Sequence, residues 1–401
     1  MAMQKTTHVA GDLDPGFGHE GRVFFTLDQS LFGGSSKLLS DGKILTAGVN
    51  ANDLVLVRHL SDGNVDGSFG DQGVQRISLV PGGNLFQAFL TLQSNGRALI
   101  FGSVAGASGR VLYVVRTLSD GKPDASFGRE GRVFIDLPAG EDIVHALAIQ
   151  PDGKIALTAR AQRDVEDYDQ VLLRLDSKGQ LDPTFGKAGI VVIGKGEFSS
   201  MLALPDNRLF LVGFENTAVL LARYLSDGRP DSGFGEDGVV TIEIKSSRFV
   251  QITDAKRQRD GKILAVGAAD LESKGFQALI MRINPDGSLD NTFNNGVPAI
   301  IGFQGYETKN WAVAIQPDNK ILAAGGSLGG SLITANFTLM RLLENGVLDA
   351  EFGSQGRVMT DMGGVDISQE VAVQTDGKIM VAGWVMSSPN GTGIGLARYL
   401  G

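Results

Sequence analysis

Apolar positions along this chain come in short bursts, each cut off by a cluster of turn-forming residues. The stretch Ile143 to Gln150 (IVHALAIQ) is one such burst, and Pro151-Asp152-Gly153 ends it. Lys154 to Ala161 (KIALTARA) follows as its partner, and the two predict a β-hairpin. After the polar loop Gln162–Asp169 comes Gln170–Asp176 (QVLLRLD), rich in branched apolar residues and read as a third strand. A turn containing Asp182, Phe185 and Gly186 then leads to Gly189–Ile193 (GIVVI), a fourth. Nowhere does the apolar pattern settle into a helical period.

That unit recurs. An Asp stands three residues before a Phe at Asp14/Phe17, Asp66/Phe69, Asp124/Phe127, Asp182/Phe185, Asp231/Phe234, Asp290/Phe293 and Asp349/Phe352. The spacing, about 50 to 60 residues, is that of an array of similar supersecondary units. The hairpin turn repeats in register as Asp41-Gly42-Lys43, Asn95-Gly96-Arg97, Asp152-Gly153-Lys154, Asp206-Asn207-Arg208, Asp260-Gly261-Lys262, Asp318-Asn319-Lys320 and Asp376-Gly377-Lys378. Asn and Gly accept the positive φ that such a turn requires. The third strand repeats one charge, at Arg58, Arg116, Arg174, Arg223, Arg282, Arg341 and Arg398.

Seven units of four short antiparallel strands predict an all-β, seven-bladed β-propeller, a single domain over residues 1–401. The chain begins with a turn motif (Leu13–Gly18) and one outer strand (Gly21–Leu27), and it finishes on a third strand, Ile394–Leu400. Pairing the N-terminal strand with the C-terminal one completes the last blade and closes the ring, which removes exposed strand edges.

The combination of Leu181-Asp182-Pro183-Thr184-Phe185-Gly186 with the hairpin Gln150–Ile155 (QPDGKI) resembles the bacterial delta-60 repeat proteins. The resemblance covers essentially the whole chain. It implies a bacterial origin and a propeller fold, without a settled activity. Asn294 replaces the Gly after Phe293, and Gly16 and Gly67 stand where Pro183 does, departures that touch turn geometry only.

Composition narrows the function classes. A formal charge of −9 argues against a phosphate-binding surface, so no nucleic-acid partner is expected. No apolar run approaches the ~18 residues of a membrane span, so no membrane insertion is expected. With no Cys, disulfides, thiolate metal sites and Cys nucleophiles are excluded. Met1 to Ala10 lacks the apolar core of a secretory signal, which reads as a soluble chain, cytoplasmic or exported by a non-classical route.

Candidate chemistry divides between what repeats and what does not. Asp62, Asn64 and Asp66 mimic the alternating ligands of a calcium loop, but Lys122, Arg229 and Val347 take the middle position in other copies. The Asp therefore reads as a turn cap, the Phe as a filler between blades and the Gly as a positive-φ residue. A charge inside an apolar strand must be paired, and the recurring Asp is the available carboxylate for the recurring Arg. Both features read as scaffold. No cofactor and no metal is expected.

Function is expected where the units differ. The hairpin turn and the Asp/Phe/Gly turn connect strands on one face of the ring; the other face carries the irregular connections Ala161–Asp169, Gly302–Asn310, Ser327–Ala335 and Met386–Gly393. Tyr306, Trp311 and Trp384 fall near that face and are candidates for an aromatic platform, with inter-blade packing as the alternative. The acidic run Asp164, Glu166, Asp167 and Asp169 reads as a solvated loop, with a cation site as the alternative. The innermost strands hold Lys37, Asp254, Lys256, Arg257 and Glu370, which line the central channel or pair with nearby carboxylates. His145 reads as a packed blade residue. The leading expectation is a non-catalytic binding module for a protein partner or glycan; the alternative is a metal-dependent hydrolase or lyase acting at the channel mouth.

Overall fold

A computed structural model describes residues 8–27, 31–50, 52–79, 83–106, 109–137, 141–162, 168–194, 196–329, 335–387 and 391–401. Apart from one short 3-10 turn at Asn294–Gly296, every regular element among them is a β-strand. The strands form seven antiparallel groups of four. The unit read first from the sequence is blade three, with strands Glu141–Ile149, Ile155–Gln162, Tyr168–Leu175 and Ile190–Gly194. Those bounds lie within two residues of the expected ones wherever the turn chemistry fixes them.

Two observations close the ring. The N-terminal strand Arg22–Phe25 pairs antiparallel with Gly391–Tyr399, in the register Arg22–Ala397 to Phe25–Ile394, and becomes the outer strand of blade seven. Blade seven then packs on blade one: Met380, Ala382, Ile394 and Leu396 share one apolar core with Ile44, Val55 and Val57, and Phe17 is buried among them. Six further apolar cores lie between the other neighbouring blades.

Each hairpin between the first and second strands is an Asx turn. The backbone N–H of Lys43, Arg97, Lys154, Arg208, Lys262, Lys320 and Lys378 donates to the side-chain oxygen two residues earlier. Asn207 and Asn319 take the positive φ (64° and 66°) that Gly supplies elsewhere.

The repeated Arg, Asp and Phe meet in a joint built seven times. Arg Nε donates to the Asp carboxylate in Arg58–Asp66, Arg116–Asp124, Arg174–Asp182, Arg223–Asp231, Arg282–Asp290, Arg341–Asp349 and Arg398–Asp14, at 2.6–2.9 Å. The hairpin cation of the same blade, such as Lys154 at 3.0 Å from Asp182, is a second partner to that carboxylate. Each guanidinium also lies over the Phe of its motif, as Arg174 does over Phe185 at 4.4 Å. In six of the seven, Nη1 donates to a backbone carbonyl of the following blade: Ser119, Ser177, Ser226, Pro285, Glu344 and, across the closure, Ser61.

The Phe rings are fully buried between blades, and six of the seven, all but Phe352, lie against a Gly of the next turn. A Cβ on Gly121 would sit 2.4 Å from Phe69, and one on Gly63 would meet Phe17 at 3.0 Å. Those glycines are required by close approach as well as by their positive φ. Losing such a ring costs about 3–5 kcal/mol.

Removal of residues 1–27 deletes Asp14, Phe17 and the outer strand of blade seven together, and leaves Arg398 buried with no carboxylate. A large fall in the urea midpoint and concentration-dependent association are expected, measured by chemical denaturation and light scattering; a truncated chain with the parent midpoint would contradict the closure. The brace also sets the acid limit. Burial opposes the charge on Asp182, but the Thr184 hydroxyl and N–H, Lys154 and Arg174 outweigh it and hold the carboxyl well below the usual range. Asp14, Asp66, Asp124, Asp231, Asp290 and Asp349 are lowered likewise. A depressed folded pKa contributes stability that is complete above the unfolded value, about 3.9, and is lost as pH falls below it. Urea midpoints followed from pH 7 to pH 3 should drop steeply below about pH 4, with more than one proton taken up on unfolding.

Candidate functional site

The hairpin face has little chemistry to spare. Each Asp of the repeated motif is already bonded to the Arg and the hairpin cation of its own blade, and Asp62 accepts from both the backbone and side-chain nitrogens of Asn64. The carboxylates of the calcium-like run are thus consumed within the protein.

The opposite face is different at blades five and six. Blade five has an inner strand of 11 residues, Ser247–Arg257, and its tip carries Phe249 beside Phe214 of blade four and Phe276 of its own third strand. The ring centroids are 5.7 Å and 6.5 Å apart, both pairs near perpendicular, and Phe249 is 37% exposed. Lys309 Nζ lies 3.6 Å from the Phe276 centroid. Burial lowers the Lys309 pKa from its ordinary value although Glu307 and Asp270 oppose that shift. Arg248 closes the cluster with a 2.8 Å pair to Asp270. Next to it runs a groove of about 1140 Å3, lined by Gln277, Gln304, Tyr306, Glu307, Arg357 and neighbouring residues. Glu307 and Tyr306 give it a carboxylate and a phenol, and Tyr306 is 37% exposed, whereas Gln277 is buried and its Nε2 donates to the carbonyls of Lys274 and Phe276.

The candidate aromatics do not share one site. Tyr306 lines this groove, whereas Trp311 lines the central channel. Trp384 lies within the second strand of blade seven, in register between Ile367 and Ile394. Trp311 turns inward because a β-bulge interrupts the inner strand between Asn310 and Ala312. Inner strands of blades one, three, four, five and seven carry bulges at the matching place, and their residues Gly34, His145, Ser199, Thr253 and Gln369 also face the channel.

The channel, about 680 Å3, is where four of the five inner-strand charges, Lys37, Asp254, Lys256 and Glu370, meet. Lys37 Nζ donates to Glu370 Oε2 across the closure between blades one and seven, and Lys256 Nζ donates to Asp254 Oδ1 at 3.1 Å. Both readings of these residues hold at once: they line the channel and are paired. Arg257 is separate and exposed, in a small pocket with Arg208 and Arg223. Nearer the irregular face, His145 Nδ1 is 3.5 Å from Glu197 Oε1. Burial and the Arg160 charge bring the His145 pKa down to about 4, so the imidazole is neutral at pH 7, and burial raises that of Glu197.

Among the described residues no three His, Asp or Glu side chains gather as a cation would need. Asp164, Glu166 and Asp167 of the acidic run lie outside the described residues, as do parts of the connections Ala161–Asp169, Ser327–Ala335 and Met386–Gly393. No helix is long and apolar enough to cross a membrane.

Seven segments, 39–69, 93–127, 150–185, 204–234, 258–293, 316–352 and 374–400, match the model of a β-propeller domain of unknown function, DUF5122. The chain belongs to the DUF5122 β-propeller family. Each matched segment begins beside a hairpin turn and runs to the Phe or third strand of its unit, so the family pattern is the brace itself. No curated protein matches this DUF5122 chain. Among solved structures it is similar to a protein of unknown function from Dyadobacter fermentans, at 13% identity over 96% of this chain and all of that one, TM-score 0.48. It is also similar to prolyl oligopeptidase B from Galerina marginata, at 11% identity and TM-score 0.50, over 94% of this chain but 49% of the other. At 11% identity the likeness to the prolyl oligopeptidase is one of fold alone.

Sequence reasoning missed Phe249, Phe276 and Lys309, which only blade tips bring together. It also missed Asp142 and Asp366, which occupy matching places at the start of the inner strands of blades three and seven. Each accepts a backbone N–H, from Leu137 and Met362, yet leaves its other oxygen buried without a partner. Burial raises both to about 6. A raised folded carboxyl pKa costs stability progressively as pH climbs from the unfolded value toward 6. Asp142→Asn and Asp366→Asn should therefore raise the thermal midpoint at pH 8, with the gain shrinking toward pH 4; an equal gain at both would refute the buried-charge account.

Proposed function

We propose that this DUF5122 propeller is a non-catalytic binding module that takes a glycan on its irregular face, at blades five and six. The observation that carries this reading is the groove of about 1140 Å3, where the part-exposed Tyr306 stands among amide and charged side chains. Aromatic rings supply an apolar surface for the C–H face of a sugar, and Gln304, Glu307 and Arg357 supply partners for its hydroxyls. Supporting it is the contrast between faces: on one, seven Asp carboxylates each committed to an Arg and a hairpin cation, and on the other polar groups that the repeated braces do not engage. Irregular connections on a rigid scaffold are where recognition concentrates.

A glycan array followed by calorimetry with the retained oligosaccharide tests this. Tyr306→Ala and Phe249→Ala should each weaken binding roughly five-fold, about 1 kcal/mol for one aromatic contact. Retention of no glycan, or unchanged affinity in both variants, would remove the reading; a protein captured through the same two residues would replace the glycan by a protein partner.

A further inference from the structure

The central channel breaks the sevenfold repetition in one sector. Four residues before the hairpin Asp or Asn stand Lys37, Thr91, Ala148, Leu202, Lys256, Ala314 and Ala372; only blades one and five place an ammonium there. Two residues earlier, Asp254 and Glu370 replace the Ser, Phe and Ala of the other blades. Blade six, between Lys256 and Glu370 around the ring, has the small Ala312 and Ala314 at the two matching positions and contributes Trp311 to the channel lining.

The four charges are unequally presented. Asp254 is saturated: Oδ1 accepts from Ala255 N at 2.9 Å and from Lys256 at 3.1 Å, and Oδ2 accepts from Val313 N of the next blade at 3.1 Å. Glu370 accepts from Lys37 through Oε2. The cations face the lumen more than the anions: Lys256 is 43% exposed against 19% for Asp254, and Lys37 is 25% exposed against 14% for Glu370. An ammonium has three donors, so each lysine keeps donors for the lumen while its carboxylate holds it in place. Burial disfavours the charge on Lys256, but Asp254 and Glu370 more than offset this and raise its pKa, so it stays charged. Gln251 and Gln369 line the same lumen, and their amides make no hydrogen bond to another described residue.

We infer that the channel is a binding site for a small hydroxylated carboxylic acid of the sugar-acid class. Its carboxylate is held by Lys256 and Lys37, its hydroxyls by Gln251 and Gln369, and its ring lies against the Trp311 indole. This site is separate from the groove at Tyr306 and does not depend on the reading given to that groove. A neutral sugar lacks the anion that the lumen donors select, since charge-assisted bonds are about twice as strong as neutral ones.

Calorimetric titration of the full chain with D-glucuronate, and in parallel with D-glucose, tests it. Glucuronate should bind saturably and glucose at least ten-fold more weakly. Lys256→Gln should weaken glucuronate ten-fold or more, and Lys256→Arg should retain most of the affinity. No heat of binding with glucuronate, equal affinity for the two sugars, or unchanged affinity in a folded Lys256→Gln protein would each overturn the proposal. Should Lys256→Gln fail to give the circular dichroism of the parent, the glucuronate-to-glucose ratio of the parent protein decides alone.

Discussion

A guanidinium wedged between blades is the constraint from which the rest of this structure follows. In each blade it must satisfy a carboxylate of its own turn, cover a phenylalanine and, in six of the seven, reach a carbonyl of the next blade. Only arginine has the planar, forked set of donors to do all three. Burying a charge is costly, and an ion pair alone seldom offsets that cost. Here the second cation from the hairpin and the hydrogen bonds to the remaining oxygens tip the balance, which is why the seven aspartates are all held ionised. An apolar residue in place of the arginine would fill the volume but would not reach the carbonyl of the following blade, so the blades would lose a fixed angular relation.

This joint also divides the molecule into a face that holds it together and a face that is free to vary. The repeated Asp, Arg and hairpin cation on the hairpin side are engaged in the joint or its Asx turn. The strand tips on the other side carry no such shared duty, and blade five extends there to present Phe249 and Phe276. Variation at a tip leaves the joint untouched, because the joint lies at the far end of the same strands.

The joint was legible in the sequence because each of its parts is improbable where it stands: an arginine inside QVLLRLD, an aspartate three residues before a phenylalanine, both recurring in step. Closure was legible for the same reason, since Asp14 and Phe17 have no arginine of their own until Arg398. The candidate platform was not. Trp311 stands five residues after Tyr306, and only the bulge at Asn310 to Ala312 sends it to the axis. A bulge adds one residue to a strand and changes which side chains face inward, and the sequence carries no mark of it. The pairing of rings at Phe214, Phe249 and Phe276 joins two blades at their tips, a long-range meeting that no local pattern encodes. Nothing in the local sequence marks Asp142 and Asp366, polar residues at strand starts, as wholly buried.

The lumen shows how a repeat protein can acquire a distinctive centre. Were Lys256 present at the same place in all seven blades, seven ammoniums would crowd one axis and repel one another across a narrow space. Charge is therefore admissible there only in a few blades and only with a balancing carboxylate fixed close by, which is the arrangement of Lys256 with Asp254 and of Lys37 with Glu370. Asp254 gains a further anchor from the backbone of blade six, and Glu370 lies across the closure from blade one. The balancing groups thus bind neighbouring blades to each other while the lysines face the lumen. Departure from the repeat at these positions is held in place by the same means as the repeat itself: a carboxylate shared between a cation and an adjacent blade.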